Sequence, residues 1–368
     1  MGHTVTVRPS GSTFTVEGDE TVLAAALRSG VGLPYGCKNG ACGTCKGKLI
    51  EGELSYGAHS ATALSADEQQ RGLALFCCSR PQTDLVIEQR LLTGFGDIPI
   101  RRMPTRIAKI ERAAADVAIV SLQLPANERL QFRAGQYLDF LLRDGTRRSY
   151  SIANAPHSEG PIQLHIRHMP GGLFTDGLFG ASQTAVKERD IMRIEAPLGT
   201  FFLREDSELP IVLLASGTGF APIKAIAEHI FERGLNRDVG AGDSDVGESA
   251  TNATPRAARP VVLYWGARTR ADLYLHALPE SWAREQPNFR YIPVLSEPTA
   301  EDQWTGRTGF VHRAVMEDLP DLSRHQVYAC GVPLMVDAAR RDFESVCGLP
   351  EDEFYADAFT SAADLADG

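Results

Sequence analysis

The sequence predicts a multidomain chain of α+β and α/β type: a small β-grasp domain, an antiparallel β-barrel and a doubly wound parallel sheet, in that order. Three observations carry the prediction. A glycine-studded cysteine run, Pro34 to Cys45, follows a β-branched hairpin and precedes further strand candidates. Six short strand candidates then succeed one another between Ile107 and Ile194, at the spacing of a small barrel. From Pro210 onward, continuous apolar strands alternate with helical patterns, as βαβ units do.

Taken in order, the first domain spans 1–93. Residues 4–7 and 13–16 alternate β-branched and polar side chains around the turn at Pro9 to Ser12, which predicts a hairpin. A helix follows with Asp19 as its expected N-cap and Gly30 as its stop. After the cysteine run come a strand at 46–50, a short helix at 66–70 and a last strand at 83–89. Gly94, Gly96 and Pro99 mark a linker over 94–103. The second domain, 104–207, holds strands at 107–112, 118–124, 136–142, 149–153, 163–168 and 190–194, with one helix at 173–179 after Pro170-Gly171-Gly172.

The third domain, 208–368, opens with the apolar strand 211–215, the turn Ser216-Gly217-Thr218-Gly219 and a helix stopped by Gly234. Strands at 261–265, 289–295 and 326–330 continue the series. Between 236 and 259 the chain is Gly, Asp, Ser, Ala, Thr and Pro without apolar period, and reads as a disordered surface insertion.

Composition narrows the function classes. At 368 residues the chain has room for two or three cores. A net charge of −10 argues against nucleic acid and acidic membranes as partners. The acid-rich stretch after Glu301 reads as a solvated face. No apolar run reaches membrane-spanning length, and the first residues lack a signal-peptide pattern. Seven cysteines, an odd number clustered in one region, do not suit a disulfide framework. A cytoplasmic protein, monomeric in isolation, is expected.

The chemistry is concentrated in three places. Cys37, Cys42 and Cys45 stand in C-x4-C-x2-C spacing, which is the plant-type [2Fe–2S] ligand run and needs a fourth cysteine downstream. Leu75-Phe76-Cys77-Cys78-Ser79 supplies one. Zinc favours paired C-x2-C knuckles, which are lacking, and the nine histidines show no ligand spacing. In the barrel, Arg147-Arg148-Ser149-Tyr150-Ser151 places a cation, a ring and hydroxyls on a strand, suited to a pyrophosphate and a flat heterocycle. His165-Ile166-Arg167-His168, then Gly171, Gly172 and Thr175 opening a helix, add a phosphate cradle. In the last domain, Gly217, Thr218, Gly219 and Pro222 form a strand-to-helix turn at the carboxyl end of a parallel strand. Cys330 ends another such strand, and Arg268 follows a third.

These motifs together resemble the iron–sulfur flavoprotein reductases with ferredoxin, FAD and NAD domains in that order. That family includes reductase components of aromatic-ring oxygenases and CDP-6-deoxy-Δ3,4-glucoseen reductases. The resemblance covers the whole chain apart from the insertion. It implies that Cys77 is the fourth cluster ligand, with Cys78 as rival. It implies that Tyr150 packs on the flavin, Ser151 lies near its reactive edge, and Arg148 meets the pyrophosphate. The Gly171-Gly172-Leu173-Phe174-Thr175 turn matches the family's FAD-phosphate motif. Gly217 to Pro222 matches its nicotinamide loop, Cys330 to Met335 its C-G-x-P-x-M, and Phe359 its terminal aromatic near the flavin. Tyr150, Ser151 and Cys330 are the expected shapers of hydride transfer. The implied reaction passes a hydride from NADH to FAD and then single electrons through the cluster to a partner. That partner is an oxygenase component or, alternatively, a nucleotide-sugar dehydratase. A non-catalytic redox sensor is the remote alternative. Arg268 and Arg270 could read a 2′-phosphate, while Asp272 opposes one, so NADH is expected over NADPH. Tyr35, Lys38, Asn39 and Ala41 are expected to form an exposed docking rim around the cluster.

Overall fold

The computed structural model describes residues 2–92, 96–182, 185–238 and 256–359. It divides into two compact units: the chain up to Ile100 with Gly199–Phe201 and the chain from Asp357, and the remainder.

In the first unit, β1 (His3–Arg8) and β2 (Ser12–Val16) pair antiparallel with Val5 opposite Phe14. Their period of two sends Val5, Val7, Phe14 and Val16 inward. Helix α1 (Val22–Arg28) is capped by Thr21, whose Oγ1 accepts from the Ala24 amide at 3.2 Å. Asp19 therefore is not the cap; its backbone carbonyl accepts from Arg80 Nε instead. The helix ends before Gly30, in the left-handed region at φ 73°. There follow β3 (Lys46–Glu51), β4 (Leu54–Ser55), α2 (Ala66–Gln70) with a Ser65–Glu68 capping box, β5 (Leu73–Leu75), β6 (Arg80–Pro81) and β7 (Leu85–Glu88). The sheet order β2-β1-β7-β3-β5, with β1 and β7 parallel, is a β-grasp.

The second unit begins with the barrel: β8 (Arg101–Ala114), β9 (Val117–Gln123), β10 (Tyr137–Leu141), β11 (Arg147–Ser151), β12 (Ile162–Arg167), α3 (Leu173–Phe179) and β13 (Ile191–Leu198). The strands run β11-β10-β13-β8-β9-β12, and an Ile152–Leu164 bridge joins the two ends. Val120, Leu138, Phe140, Leu164 and Ile194 fill it. Strand β8 starts at Arg101, inside the expected linker. Pro104 lies opposite Arg193 of β13, before pairing with β9 begins at Arg106, so its missing N–H is tolerated there.

The remaining elements are β14 (Ile211–Ser216), α4 (Phe220–Glu232), β15 (Val261–Ala267), α5 (Ala277–Glu285), β16 (Phe289–Leu295), β17 (Arg307–Thr308), α6 (Val311–Asp318), β18 (Gln326–Gly331), α7 (Pro333–Ser345) and β19 (Phe354–Ala358). The order is β17-β16-β15-β14-β18-β19, with β14 parallel to both β15 and β18. The strand order reverses at β14, so its carboxyl end is the switch point where such sheets bind ligands.

Most of the stretch expected to be structureless, 239–255, lies outside the described residues. Its two ends are corrected by the structure. Asn236 is buried and donates to the Pro287 carbonyl at 2.7 Å. Arg256 donates to the Gly234 carbonyl, and the Ala258 amide to Asp238. Arg259 is buried against Gln326 and the carbonyls of Leu209 and Arg204. The two arms are clasped at their base.

Candidate functional site: a cysteine loop, a flavin strand and a nucleotide turn

The cysteine loop presents its thiols as two pairs. The Cys37 amide donates to Cys42 Sγ at 3.4 Å, and the Cys77 amide donates to Cys45 Sγ at 3.4 Å. The hydrogen bond between the Cys37 and Cys42 thiols draws the first pKa down and pushes the second up. The bond to Cys45 raises that of Cys77. Crowded thiols of this kind, half-buried at Cys37 and Cys42 and buried at Cys45 and Cys77, are relieved when a metal cation displaces their protons. Two pairs of sulfurs with backbone N–H groups aimed at them fit a two-iron cluster with two thiolates per iron. Cys78 Sγ lies 3.5 Å from Cys77 Sγ, and no bond to Cys45 is described for it. Lys38, Gly40 and Gly43 take left-handed backbone, with φ of 62°, 83° and 75°. A Cβ on Gly40 would stand 2.7 Å from Cys78 Sγ and 2.8 Å from the Ala58 carbonyl oxygen.

The expected rim is only half there. Tyr35 and Ala41 are buried, at 2% and 6% exposure, while Asn39 is exposed and Lys38 is half-buried. Tyr35 is turned inward by the segment Gly199–Phe201 of the same unit. Its amide donates to Thr200 Oγ1 at 2.8 Å, and its carbonyl accepts from the Thr200 amide and hydroxyl.

In the barrel, β10 and β11 pair Leu138 with Tyr150 and Phe140 with Arg148. The Tyr150 ring lies 5.7 Å from those of Phe140 and Phe174, and burial pushes its phenol pKa up. Ser151 is buried. On the opposite face, Ser149 Oγ donates to Asp139 at 2.6 Å, and Arg147 bridges Asp139 and Glu195. Sequence reasoning did not anticipate Asp139, which occupies the Ser149 hydroxyl. Arg148, Tyr150 and Ser151 remain as the set that fits a flavin, the first two on one face and with an aromatic bed beneath. At the following turn, Thr175 Oγ1 donates to the Met169 carbonyl, and the Gly171 amide to Asp176. His168 braces the same carboxylate. A Cβ on Gly171 would meet nothing within 4 Å, so the turn is open on that side.

At the switch point, Gly217 takes φ 53° and its carbonyl accepts from Trp265 Nε1 at 3.0 Å. Phe220 stacks on Trp265 with ring centroids 3.9 Å apart. A Cβ on Gly219 would collide with the carbonyl of buried Cys330, and one on Gly331 with Ser216 Oγ. The Val332 amide donates to that hydroxyl at 3.0 Å. Two loops from β14 and β18 thus touch backbone to backbone, with Thr218 buried and Pro222 in the first turn of α4.

His165 and Arg167, expected at the flavin, point to this end instead. His165 Nδ1 lies 2.9 Å from Tyr274 OH, and its Nε2 is buried without a partner. Burial, with Lys224 nearby, lowers the His165 pKa to about 3. A Cβ on Gly217 would stand 3.2 Å from Arg167 Nη1, and Arg167 also pairs with Asp116. Lys224 was not anticipated: buried on α4, it donates to the Ala153 carbonyl at 3.0 Å and pairs with Glu228. A lysine among Ile223, Ile226 and Ala227 was its only sequence signal. Arg268 is exposed and pairs with Asp272, which also caps Thr269. Phe359 is half-buried beyond β19.

Thiols for a two-iron cluster and a nucleotide turn on one chain have a joint use in moving electrons from a hydride donor to a one-electron carrier. The chain is an electron-transfer flavoprotein by this architecture. Family profiles agree: a 2Fe-2S iron-sulfur cluster binding domain matches residues 5–82, an oxidoreductase FAD-binding domain 104–203 and an oxidoreductase NAD-binding domain 213–341. The CDP-6-deoxy-L-threo-D-glycero-4-hexulose-3-dehydrase reductase of Yersinia pseudotuberculosis is 40% identical over 98% of this chain and 99% of that protein. The reductase component 2 of Comamonas terephthalate 1,2-dioxygenase is 32% identical over 98% of both chains. The crystal structure of the Amycolatopsis reductase GcoB superposes with a TM-score of 0.72 at 32% identity, covering 98% of this chain and 99% of that one. The chain belongs to the iron–sulfur flavoprotein reductase family, as an oxidoreductase of the FAD, NAD and [2Fe–2S] type.

Proposed function

We propose that this protein is an NADH-dependent reductase that delivers single electrons to a separate protein acceptor. The two thiol pairs of the cysteine loop, on one chain with the Arg148–Ser151 strand and the Gly217–Gly219 turn, carry the reading. When bound, the cofactors supply the hydride, the two-to-one electron conversion and the one-electron outlet. The protein's part is placement. Cys37, Cys42, Cys45 and Cys77 hold the cluster, and the amides of Cys37 and Cys77 stabilise charge on its sulfurs. Arg148, Tyr150, Ser151, Gly171, Gly172 and Thr175 seat the flavin. Thr218, Pro222 and the Cys330 backbone shape the nicotinamide floor, and Arg167 stands over Gly217 as a cation for the nucleotide. NADH is favoured because Asp272 already pairs with Arg268, the side chain that would read a 2′-phosphate.

The acceptor is an oxygenase component or a nucleotide-sugar dehydrase. The second is supported by full-length 40% identity to the Yersinia dehydrase reductase. A cytoplasmic monomer fits both. The test is anaerobic addition of NADH, which should bleach flavin and cluster absorbance. Cys42→Ser should abolish the cluster signal and leave NADH-to-ferricyanide activity. An unchanged oxidised spectrum in the wild type would remove the enzyme reading.

A further inference from the structure

The amide, carbonyl and phenol oxygen of Tyr35 all bond to one short stretch of chain. Its amide and carbonyl both bond to Thr200 Oγ1, each at 2.8 Å. The same carbonyl accepts from the Thr200 amide at 3.1 Å, and the phenol oxygen accepts from the Gly199 amide at 3.1 Å. Both residues are buried, at 2% and 5% exposure. Tyr35 stands two residues before ligand Cys37, and Gly199 follows directly on the end of β13. Beside it, a Cβ on Gly36 would meet Cys42 Sγ at 3.3 Å and Asp357 Oδ1 at 3.4 Å, so there is no slack on that side either.

We propose that Tyr35 and Thr200 are positioning residues whose reciprocal hydrogen bonds tie the cluster loop to the chain leaving the last barrel strand, and that electron arrival at the cluster depends on this tie. The inference rests on the electron-transfer reading above. Neither side chain needs to touch a cofactor. Thr200 is suited because a hydroxyl can accept from the Tyr35 amide and donate to its carbonyl at once. Serine preserves both bonds, whereas valine keeps the volume and strands a buried amide.

The test uses the full holoprotein and three variants. In Thr200→Val, amide exchange around Tyr35 and Gly199 should quicken by about 10-fold or more as the junction opens locally. After NADH addition, electron arrival at the cluster should slow several-fold, because the bonds that fix the cluster loop are lost. Flavin bleaching, NADH-to-ferricyanide activity and the cluster's paramagnetic signature should stay at wild-type values. Thr200→Ser should restore exchange and transfer together. Wild-type transfer in Thr200→Val, or a Thr200→Ser defect as large as that of valine, overturns the proposal. Should Thr200→Val lose its cluster, Tyr35→Phe carries the test, because it removes the bond to Gly199 and leaves both Thr200 bonds to the Tyr35 backbone in place. An intermediate slowing is then expected, and a wild-type rate overturns the proposal. The wild-type control separates the two claims: if NADH reduces flavin and cluster there, a failure in the variants falls on the junction alone.

Discussion

The cysteine loop and the nucleotide turn both depend on glycine, and for opposite reasons. At Gly40 and Gly43 the left-handed backbone turns the loop tightly around the thiols, where amides meet sulfur. At Gly219 and Gly331 the missing Cβ lets two loops touch, leaving Trp265 and Phe220 packed beneath the turn. On the function proposed above, the first arrangement is a nest for a charge-dense group that stays, and the second clears a floor for a soluble cofactor that must leave each cycle. Substitutions in the two regions should therefore separate cluster content from hydride chemistry.

The largest effect that sharpens this contrast is Cys77→Ser, which should abolish the cluster's visible absorbance, while Cys78→Ser should retain it. A reversal would reassign the fourth ligand. Next, Gly219→Ala should lower NADH-driven flavin reduction by about 10- to 100-fold, because overpacking of about 1–3 kcal/mol falls on the Cys330 loop. Its cluster spectrum should be that of the wild type; loss of the cluster in this variant would break the separation. A further effect, spread over several pH units, concerns His165. The folded chain keeps it neutral down to about pH 3, whereas an unfolded chain protonates it near the ordinary 6.5. The unfolded state thus binds more protons as pH falls, and stability drains away below about 6.5. Over that range the wild type should lose up to about 1.4 kcal/mol per pH unit more than His165→Phe, read by denaturant unfolding. Equal acid limbs would show that His165 is not held neutral.

What was legible in the sequence was what is local. Cys37, Cys42 and Cys45 lie within one turn of chain, so their spacing alone declares their chemistry. The apolar strand at Ile211 and the turn after it are equally self-contained. Tyr35 was misjudged as exposed because the residue that buries it lies 165 positions away. His165 and Arg167 were expected at the flavin because they stand on a strand leading to Gly171 and Gly172, but only tertiary packing decides that they meet Tyr274 and Gly217. Residues 101–103 were read as linker because the strand they begin carries Pro104, and a proline in a strand is legible only when its neighbours are known. The cap fell to Thr21 and not Asp19 because several polar residues in a row compete for that position.

The clasp formed by Asn236, Asp238 and residues 256–259 has an evolutionary consequence. Its hydrogen bonds fix where the two arms leave and re-enter the nucleotide sheet, whatever chain runs between them. Closing a loop whose ends are already held costs only about 0.6 kcal/mol for each doubling of its length. The clasp is therefore a port where a lineage can try chain of other lengths while the ends held by these bonds stay in place.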